Sequence, residues 1–255
     1  MYLRAFANKV FAPAATSYWE LLLITSAILR IEVPGVVVEC GCFKGGSAAT
    51  LSLACRRAKR RLHVFDSFSG LPEPSTEDAS HRILSDSEIH KYRKGAFAGS
   101  LETVKRNISK HGAIECCQFW PGYFEETMPE FKDRVAVAFL DVDLVDSLRT
   151  CIKSLWPLMP DGALLFTHEA HHLEVAKLFH HDEWWRQNVG QDAPGLVGAG
   201  SGLGLGLWKN RHGYYGSCLG LVRKNPVVTK VCDEGERAES RRTANGFRFQ
   251  AVGSK

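Results

Sequence analysis

Val135-Ala136-Val137-Ala138-Phe139-Leu140 is six apolar residues without a break, and it runs straight into Asp141-Val142-Asp143. A strand that is apolar on both faces belongs inside a sheet covered on both sides, the usual setting of parallel strands. Shorter runs of the same kind recur at Val36-Val37-Val38, at Leu62 to Asp66 and at Gly162 to Thr167, with a further strand expected at 113 to 120. Helix-length stretches separate them: 15 to 30, 48 to 58, 99 to 110 with Ser100 as cap, 124 to 131, 145 to 156 stopped by Pro157, and 170 to 188. Strand and helix alternating along one chain predict an α/β fold, a doubly wound and mostly parallel Rossmann-like sheet. Late in the chain, 202 to 208 and 215 to 223 flank a glycine-containing turn and are expected as an antiparallel pair at the sheet edge.

The expected organisation is an N-terminal helical cap at 1–34, a main domain at 35–224 and a flexible tail at 225–255. Within the main domain, about 69–99 is polar, holds Pro72 and Pro74, and reads as a long loop or lid with one helical turn at most. At 255 residues the chain is long enough for a full core. Its net charge of +4 is too small to argue for nucleic acid, and Arg56 to Arg61 reads as the solvated end of a helix. The apolar stretch Leu21 to Val33 is broken by Arg30 and Glu32, so no membrane span is expected. No secretory signal is recognisable, and the eight cysteines are read as reduced thiols of a cytoplasmic protein. The oligomeric state, monomer or homo-oligomer, stays open.

In such a sheet, ligands bind beyond the carboxyl ends of the strands. Glu39, Asp66, Asp141, Asp143, His168 and Glu169 all fall at or just after predicted strand ends. Carboxylates are costly to bury, so their recurrence there points to ligands. Gly41, Gly45, Gly46 and Ser47 follow Glu39 in a turn that leads into a helix, where free backbone N–H groups are available. An acid before these glycines would repel a pyrophosphate and attract an ammonium group. Asp66 is placed to accept hydrogen bonds from ribose hydroxyls, with Ser67 and Phe68 beside it; its bland alternative is a turn cap. Asp141, His168 and Glu169, on neighbouring strand ends, could share a divalent cation that lowers the pKa of a bound hydroxyl. Equally, Asp141 could cap a helix while His168-Glu169 closes a loop. His171, His172 or Asp143 could take a proton. The string His168-Glu169-Ala170-His171-His172 matches a zinc-peptidase motif, but His168 follows a strand, so its two histidines would not share a helix face.

The turn after Glu39 resembles the first motif of class I S-adenosylmethionine-dependent methyltransferases. A longer series of motifs resembles one branch of that class, the macrocin O-methyltransferase family. The matching residues are Val38-Glu39-Cys40-Gly41 with Lys44-Gly45-Gly46-Ser47, Val64 to Pro72, Gly122 to Pro129, Phe139 to Leu144, and Leu155 to Leu158 before Pro160-Asp161-Gly162. The resemblance covers about residues 35 to 170. It implies a Rossmann-like methyltransferase fold, S-adenosylmethionine as methyl donor, and a small-molecule hydroxyl acceptor such as a natural-product sugar. It also implies magnesium on Asp141 and on a carboxylate pair after the next strand. This chain departs there, with His168-Glu169 where the family usually has Asp-Asp, which leaves manganese as an alternative metal and His168 as the doubtful ligand. Two rivals remain at this level: a nicotinamide-dependent oxidoreductase, which Glu39 before the glycines disfavours, and a methyltransferase-like scaffold without turnover.

Overall fold

The structure, a computed structural model, describes residues 16–83, 89–200, 202–203, 208–210, 213–215 and 217–225. The first helix, α1 (Tyr18–Arg30), opens on a capping box. The Ser17 hydroxyl accepts from the Glu20 N–H, and the Glu20 carboxylate accepts from the Ser17 N–H at 2.7 Å. Then follow β1 (Val36–Cys40), α2 (Gly46–Ala58), β2 (Leu62–Asp66), β3 (Ser80–Arg82), β4 (Ile89–Lys91), α3 (Leu101–His111) and β5 (Cys117–Pro121). The second half runs α4 (Phe124–Thr127), β6 (Val135–Leu140), α5 (Val145–Leu155), β7 (Leu164–Thr167), α6 (Leu173–Leu178), α7 (Asp182–Asn188), β8 (Trp208–Asn210), β9 (Gly213–Tyr215) and β10 (Gly220–Arg223).

The main sheet has the order β10-β7-β6-β1-β2-β5. The pairs β1–β2, β2–β5, β1–β6 and β6–β7 are parallel, and β10 runs antiparallel to β7. This is the doubly wound, mostly parallel sheet that the alternation predicts; its antiparallel C-terminal edge is β10 on β7 rather than, among the described residues, the expected pairing of 202–208 with 215–223. The hairpin β8–β9 forms a small sheet of its own. Successive strand residues serve opposite faces. Val37, Val64, Val137 and Phe139 pack with α1, α2 and α3 through Ile24, Ile28, Leu51 and Ile108. Val38, Phe65, Ala138 and Leu140 pack on the other side with Leu148, Ile152, Trp156 and Trp185. Each large apolar side chain so buried contributes about 1.5–3 kcal/mol, which explains why β6 is apolar throughout.

Three expectations need correction. The lid region is not a plain loop: β3 and β4 pair as an antiparallel ribbon, His81 opposite His90. The expected helix 170–188 is two helices, because the chain turns at Phe179 to bury that ring and Trp185, whose indole N–H donates to the Leu178 carbonyl at 2.8 Å. The basic cluster is not merely solvated. Arg60 donates to the carbonyls of Gly35, Ile31 and Val33, at 2.5, 2.9 and 2.8 Å, and so fastens the connection between α1 and β1. Among the described residues, no helix is long and apolar enough to cross a membrane. The compact unit ends at Asn225. Of the tail expected at 225–255, all but Asn225 lies outside the described residues, as do the first fifteen residues of the expected cap.

Candidate active site

The chain runs outward from β1 to β2 and β5, then returns to place β6 on the other flank of β1. The crevice of such a sheet opens at that reversal, between the ends of β1 and β6. Ladder hydrogen bonds continue past the strand ends and gather the following residues on one rim. Gly41 N–H donates to Phe65 O, Asp141 N–H to Cys40 O, and His168 N–H to Leu140 O, each at 2.9 Å; Gly122 N–H donates to Asp66 O at 3.1 Å. Gly41 has φ +79°, and a Cβ there would lie 1.9 Å from the Asp141 carbonyl oxygen. Only glycine lets β1 and β6 close at this point.

On the β1–β2 side, Asp66 fastens two turns together. One carboxylate oxygen accepts from Cys42 N–H and the other from Phe68 N–H, both at 2.7 Å. The Cys42 thiol and the Phe43 N–H also donate towards this carboxylate. The bond from Phe68 N–H, two residues on, also realises the turn-capping alternative for Asp66, and Ser67 donates to Gly70 O at 2.7 Å. Burial pushes the Asp66 carboxyl up, and the backbone donors pull it back in part. Glu39 is fully buried, and neither of its carboxylate oxygens has a hydrogen-bond partner among the described residues. Burial, opposed only in part by the Ser47 hydroxyl and reinforced by Asp141 and Asp66, raises it to about 8. A buried carboxyl with no well-formed hydrogen bond, and only the Ser47 hydroxyl to favour its ionisation, is an unmet demand for a cationic or N–H partner.

On the β6–β7 side, His168 stands among carboxylates. Its Nδ1 is 3.2 Å from Glu169 Oε1 and 3.4 Å from Asp141 Oδ1, and its Nε2 is 3.6 Å from Glu20 Oε2. Burial opposes a charged ring, but Asp141, Glu169 and Glu20 outweigh it and hold His168 protonated well above its ordinary pKa. Burial works against ionisation of Asp141 too, and the His168 charge overrides it. Glu169 is pushed up to about 7 by burial against the pull of His168. Asp143, at φ +62°, is raised well above the usual carboxylate range by burial and by Glu169 and Asp141. Glu20 accepts from the Ser217 hydroxyl and the Cys218 N–H, both at 2.8 Å.

One atom from each of Asp141, His168 and Glu169 lies within 4.8 Å of the others, close enough to ligate a common ion. Once His168 gives up its Nδ1 proton, the donor set fits a divalent cation: two carboxylates, an imidazole Nδ1, and Glu20 behind them to orient the ring through Nε2. Glu20, His168 and Cys218 form a second such group.

These groups share a cavity of about 410 Å³. Gly41, Asp66, Ser67, Asp141, Asp143, His168, Glu169 and His171 line it, together with the rings of Phe43, Tyr92, Phe97, Tyr123 and Phe124. Glu39, Gly45, Gly46, Ser47 and Phe68 are not on its wall. Gly45 instead makes the left-handed turn at φ +82° into α2, against Val104. His168 precedes α6 by several residues and His172 caps it, so the peptidase motif is not on one helix. Sequence reasoning missed Glu20, whose only signal was the Ser17-x-x-Glu20 capping box. It also missed Asp78, His81 and Tyr92, for which no motif exists.

Residues 20–195 match the profile of the family described as Macrocin-O-methyltransferase (TylF). The chain is 32% identical over 151 residues to the 8-demethyl-8-(2,3-dimethoxy-alpha-L-rhamnosyl)-tetracenomycin-C 4'-O-methyltransferase of Streptomyces olivaceus, 57% of each protein. It is 32% identical over 140 residues to the mycinamicin III 3''-O-methyltransferase of Micromonospora griseorubida, 52% of this chain and 54% of that one. The match therefore spans little more than half the length of these curated relatives. Among solved structures, the O-methyltransferase NovP superposes with a TM-score of 0.60 at 22% identity, covering 82% of this chain and 80% of that one. The calicheamicin methyltransferase CalS11 gives 0.53 at 19% identity, covering 79% and 77%. These two share the fold.

Proposed function

We propose, for a chain that belongs to the macrocin O-methyltransferase family, that it methylates a hydroxyl of a small molecule, a sugar hydroxyl on a natural product, from S-adenosylmethionine. The observation that carries this reading is the convergence of Gly41, Asp66, Asp141 and His168, from four strand ends, on one cavity at the sheet's reversal. Both named relatives are O-methyltransferases, and the first is named for a rhamnosyl-bearing substrate, which supports the acceptor class.

When bound, S-adenosylmethionine supplies an electrophilic methyl on a sulfonium, and transfer forms a C–O bond as the C–S bond breaks. Asp66, on the cavity wall, receives the nucleoside hydroxyls, and Gly41 and Ser67 shape the wall beside it. Glu39, behind Gly41 on β1, supplies the counter-charge to the cationic end of the donor. The aromatic wall excludes water and takes the apolar body of the acceptor. Asp143, on the same wall, is the residue assigned to accept the hydroxyl proton; burial with Glu169 and Asp141 raises its affinity for a proton, and it acts in its ionised form. His171, on the same wall, is the second residue to test in that role. A divalent cation on Asp141, Glu169 and His168 Nδ1 would lower the pKa of the acceptor hydroxyl.

A second reading of His168 rests on both its ring nitrogens facing carboxylates: the imidazolium itself neutralises Asp141 and Glu169, and no metal is needed. Calorimetry with S-adenosylmethionine, with and without Mg²⁺ or Mn²⁺, followed by mass-detected methyl transfer to a panel of rhamnosyl and other glycosyl polyketides, tests both. Binding and transfer that collapse with a chelator support the cation. Transfer indifferent to the chelator supports the imidazolium. Absence of binding under every condition overturns the methyltransferase reading.

A further inference from the structure

A chain of buried polar groups runs from the start of α5 to the cavity. Asp78 and His81 are fully buried and His172 is 3% exposed. Asp78 Oδ1 accepts from Val145 N–H at 2.7 Å and Oδ2 from Asp146 N–H at 3.0 Å, the first backbone donors of α5. Oδ1 also lies 2.9 Å from His81 Nε2. His81 Nδ1 lies 3.3 Å from His172 Nδ1, and the Tyr92 hydroxyl is 3.4 Å from the same nitrogen. His172 lines the cavity that holds Asp141, Asp143 and Glu169.

The protons in this chain follow from the partners. A carboxylate fixed by two backbone N–H groups at a helix start stays ionised and only accepts. Burial opposes that, but His81 and the backbone donors hold Asp78 below the ordinary carboxylate range. His81 Nε2 therefore carries a proton. Two facing ring nitrogens share one hydrogen: with His81 carrying its proton on Nε2, its Nδ1 accepts from Nδ1–H of His172, and the Tyr92 hydroxyl oxygen faces that same N–H. That leaves the lone pair of His172 on Nε2. Burial, with His171, His81, His90 and His168 nearby, depresses the His172 pKa and keeps the ring neutral. Three polar side chains buried together add little that apolar packing would not supply, so their arrangement calls for another use. The same segment ties the lid ribbon down. Ile83 bridges to His172, and Arg82 N–H donates to the Glu174 carboxylate at 2.9 Å.

We propose that His172 is a positioning residue for the methyl acceptor, its tautomer set through His81 by Asp78. Its Nε2 receives a second hydroxyl of the acceptor, beside the one that is methylated. The substrate class is thus a sugar with neighbouring free hydroxyls, and the lid ribbon must be docked for the relay to exist. This inference rests on the methyl-transfer reading above. The logic is that of a buried acid that fixes a histidine's tautomer without itself exchanging a proton.

The test uses the full chain labelled with ¹⁵N-histidine. Long-range ¹H–¹⁵N spectra, assigned by loss of signals in His172→Asn and His81→Gln, should show His172 as the Nδ1–H tautomer and His81 as Nε2–H. In His81→Phe and the milder His81→Gln, checked for folding by thermal melting, the acceptor KM should rise at least about tenfold. The S-adenosylmethionine Kd should stay within about twofold, since the relay does not touch the donor side. Monodeoxy analogues of the best glycoside from the panel should show the same KM rise with wild type, and little further rise with His172→Asn. Wild-type methyl transfer with His172 in the Nε2–H form overturns the relay alone, as does an unchanged acceptor KM in a folded His81 variant. A wild-type protein that binds no donor and methylates no glycoside overturns the methyl-transfer reading and the relay's role with it.

Discussion

Glu20 Oε2 lies 3.6 Å from His168 Nε2, joining the first turn of α1 to the end of β7. The contact makes the N-terminal helix part of the site. Glu20 closes its own helix cap and also accepts from Ser217 and Cys218, so one carboxylate couples α1, β7 and the approach to β10.

Glu20→Gln removes the charge and leaves His168 ionised without this partner. Stability should fall by about 3 kcal/mol, the usual effect of breaking a buried pair. Denaturant unfolding at pH 7 measures it. A loss below 1 kcal/mol would show that Glu20 serves only as a cap.

The Glu39 carboxyl gives a pH signature. Its pKa in the folded, ligand-free protein is about 8, above the ordinary value of 4.5. The folded state therefore holds a proton that the unfolded chain releases between these values, and this group's contribution to stability is lost as pH rises through that window. A cationic donor reverses the preference. Binding of S-adenosylmethionine at pH 7 should release a proton, and its affinity should rise from pH 6 to 8 by up to about tenfold per unit. Calorimetry in buffers of different ionisation enthalpy measures the release. Glu39→Gln should abolish it, raise ligand-free stability at pH 8, and weaken donor binding by about ten- to a hundredfold.

Gly41→Ala tests the closure of β1 on β6. The added Cβ meets backbone 1.9 Å away at a positive φ, and neither neighbour is a flexible side chain. A loss on the order of 3 kcal/mol is expected, from strain and overpacking together. Thermal melting against the control Gly190→Ala, where φ is also positive but nothing lies within 4 Å, separates clash from conformation.

His168→Asp replaces the imidazole with a hard oxygen donor. The variant should shift preference from Mn²⁺ toward Mg²⁺ by at least about fivefold, because carboxylates suit magnesium better than imidazole does. Calorimetric titration of both ions gives the ratio. Glu20→Gln is combined with it, since two carboxylates would otherwise face each other.

Much of the site was legible because strand ends are legible. Glu39, Asp66, Asp141 and His168 each follow an apolar run, and the rule that parallel sheets bind ligands at their carboxyl edge sorts them without coordinates. The partners of those residues were not legible. Glu20 sits in a helix cap far from β7 in sequence, and Asp78 and His81 sit in a polar stretch with no periodicity. The glycines after Glu39 illustrate the difference. Gly41 and Gly45 were visible as a turn, but only the fold shows that one faces the Asp141 carbonyl and the other packs on Val104.

By itself the sequence determined the alternation of strand and helix, the sheet's two apolar faces, and the acids and glycines waiting at strand ends. These are local properties of hydrophobic period and turn chemistry. Tertiary structure decided which acids are paired and which are left alone. Glu20, Asp141 and Glu169 surround one histidine, while Glu39 stays buried with only the Ser47 hydroxyl to favour its ionisation. It also turned the lid into a ribbon whose His90 lies on the cavity wall and whose His81 meets His172. Ionisation and hydrogen bonding depend on what lies within a few ångströms, and neighbours distant in the chain are brought there only by the fold.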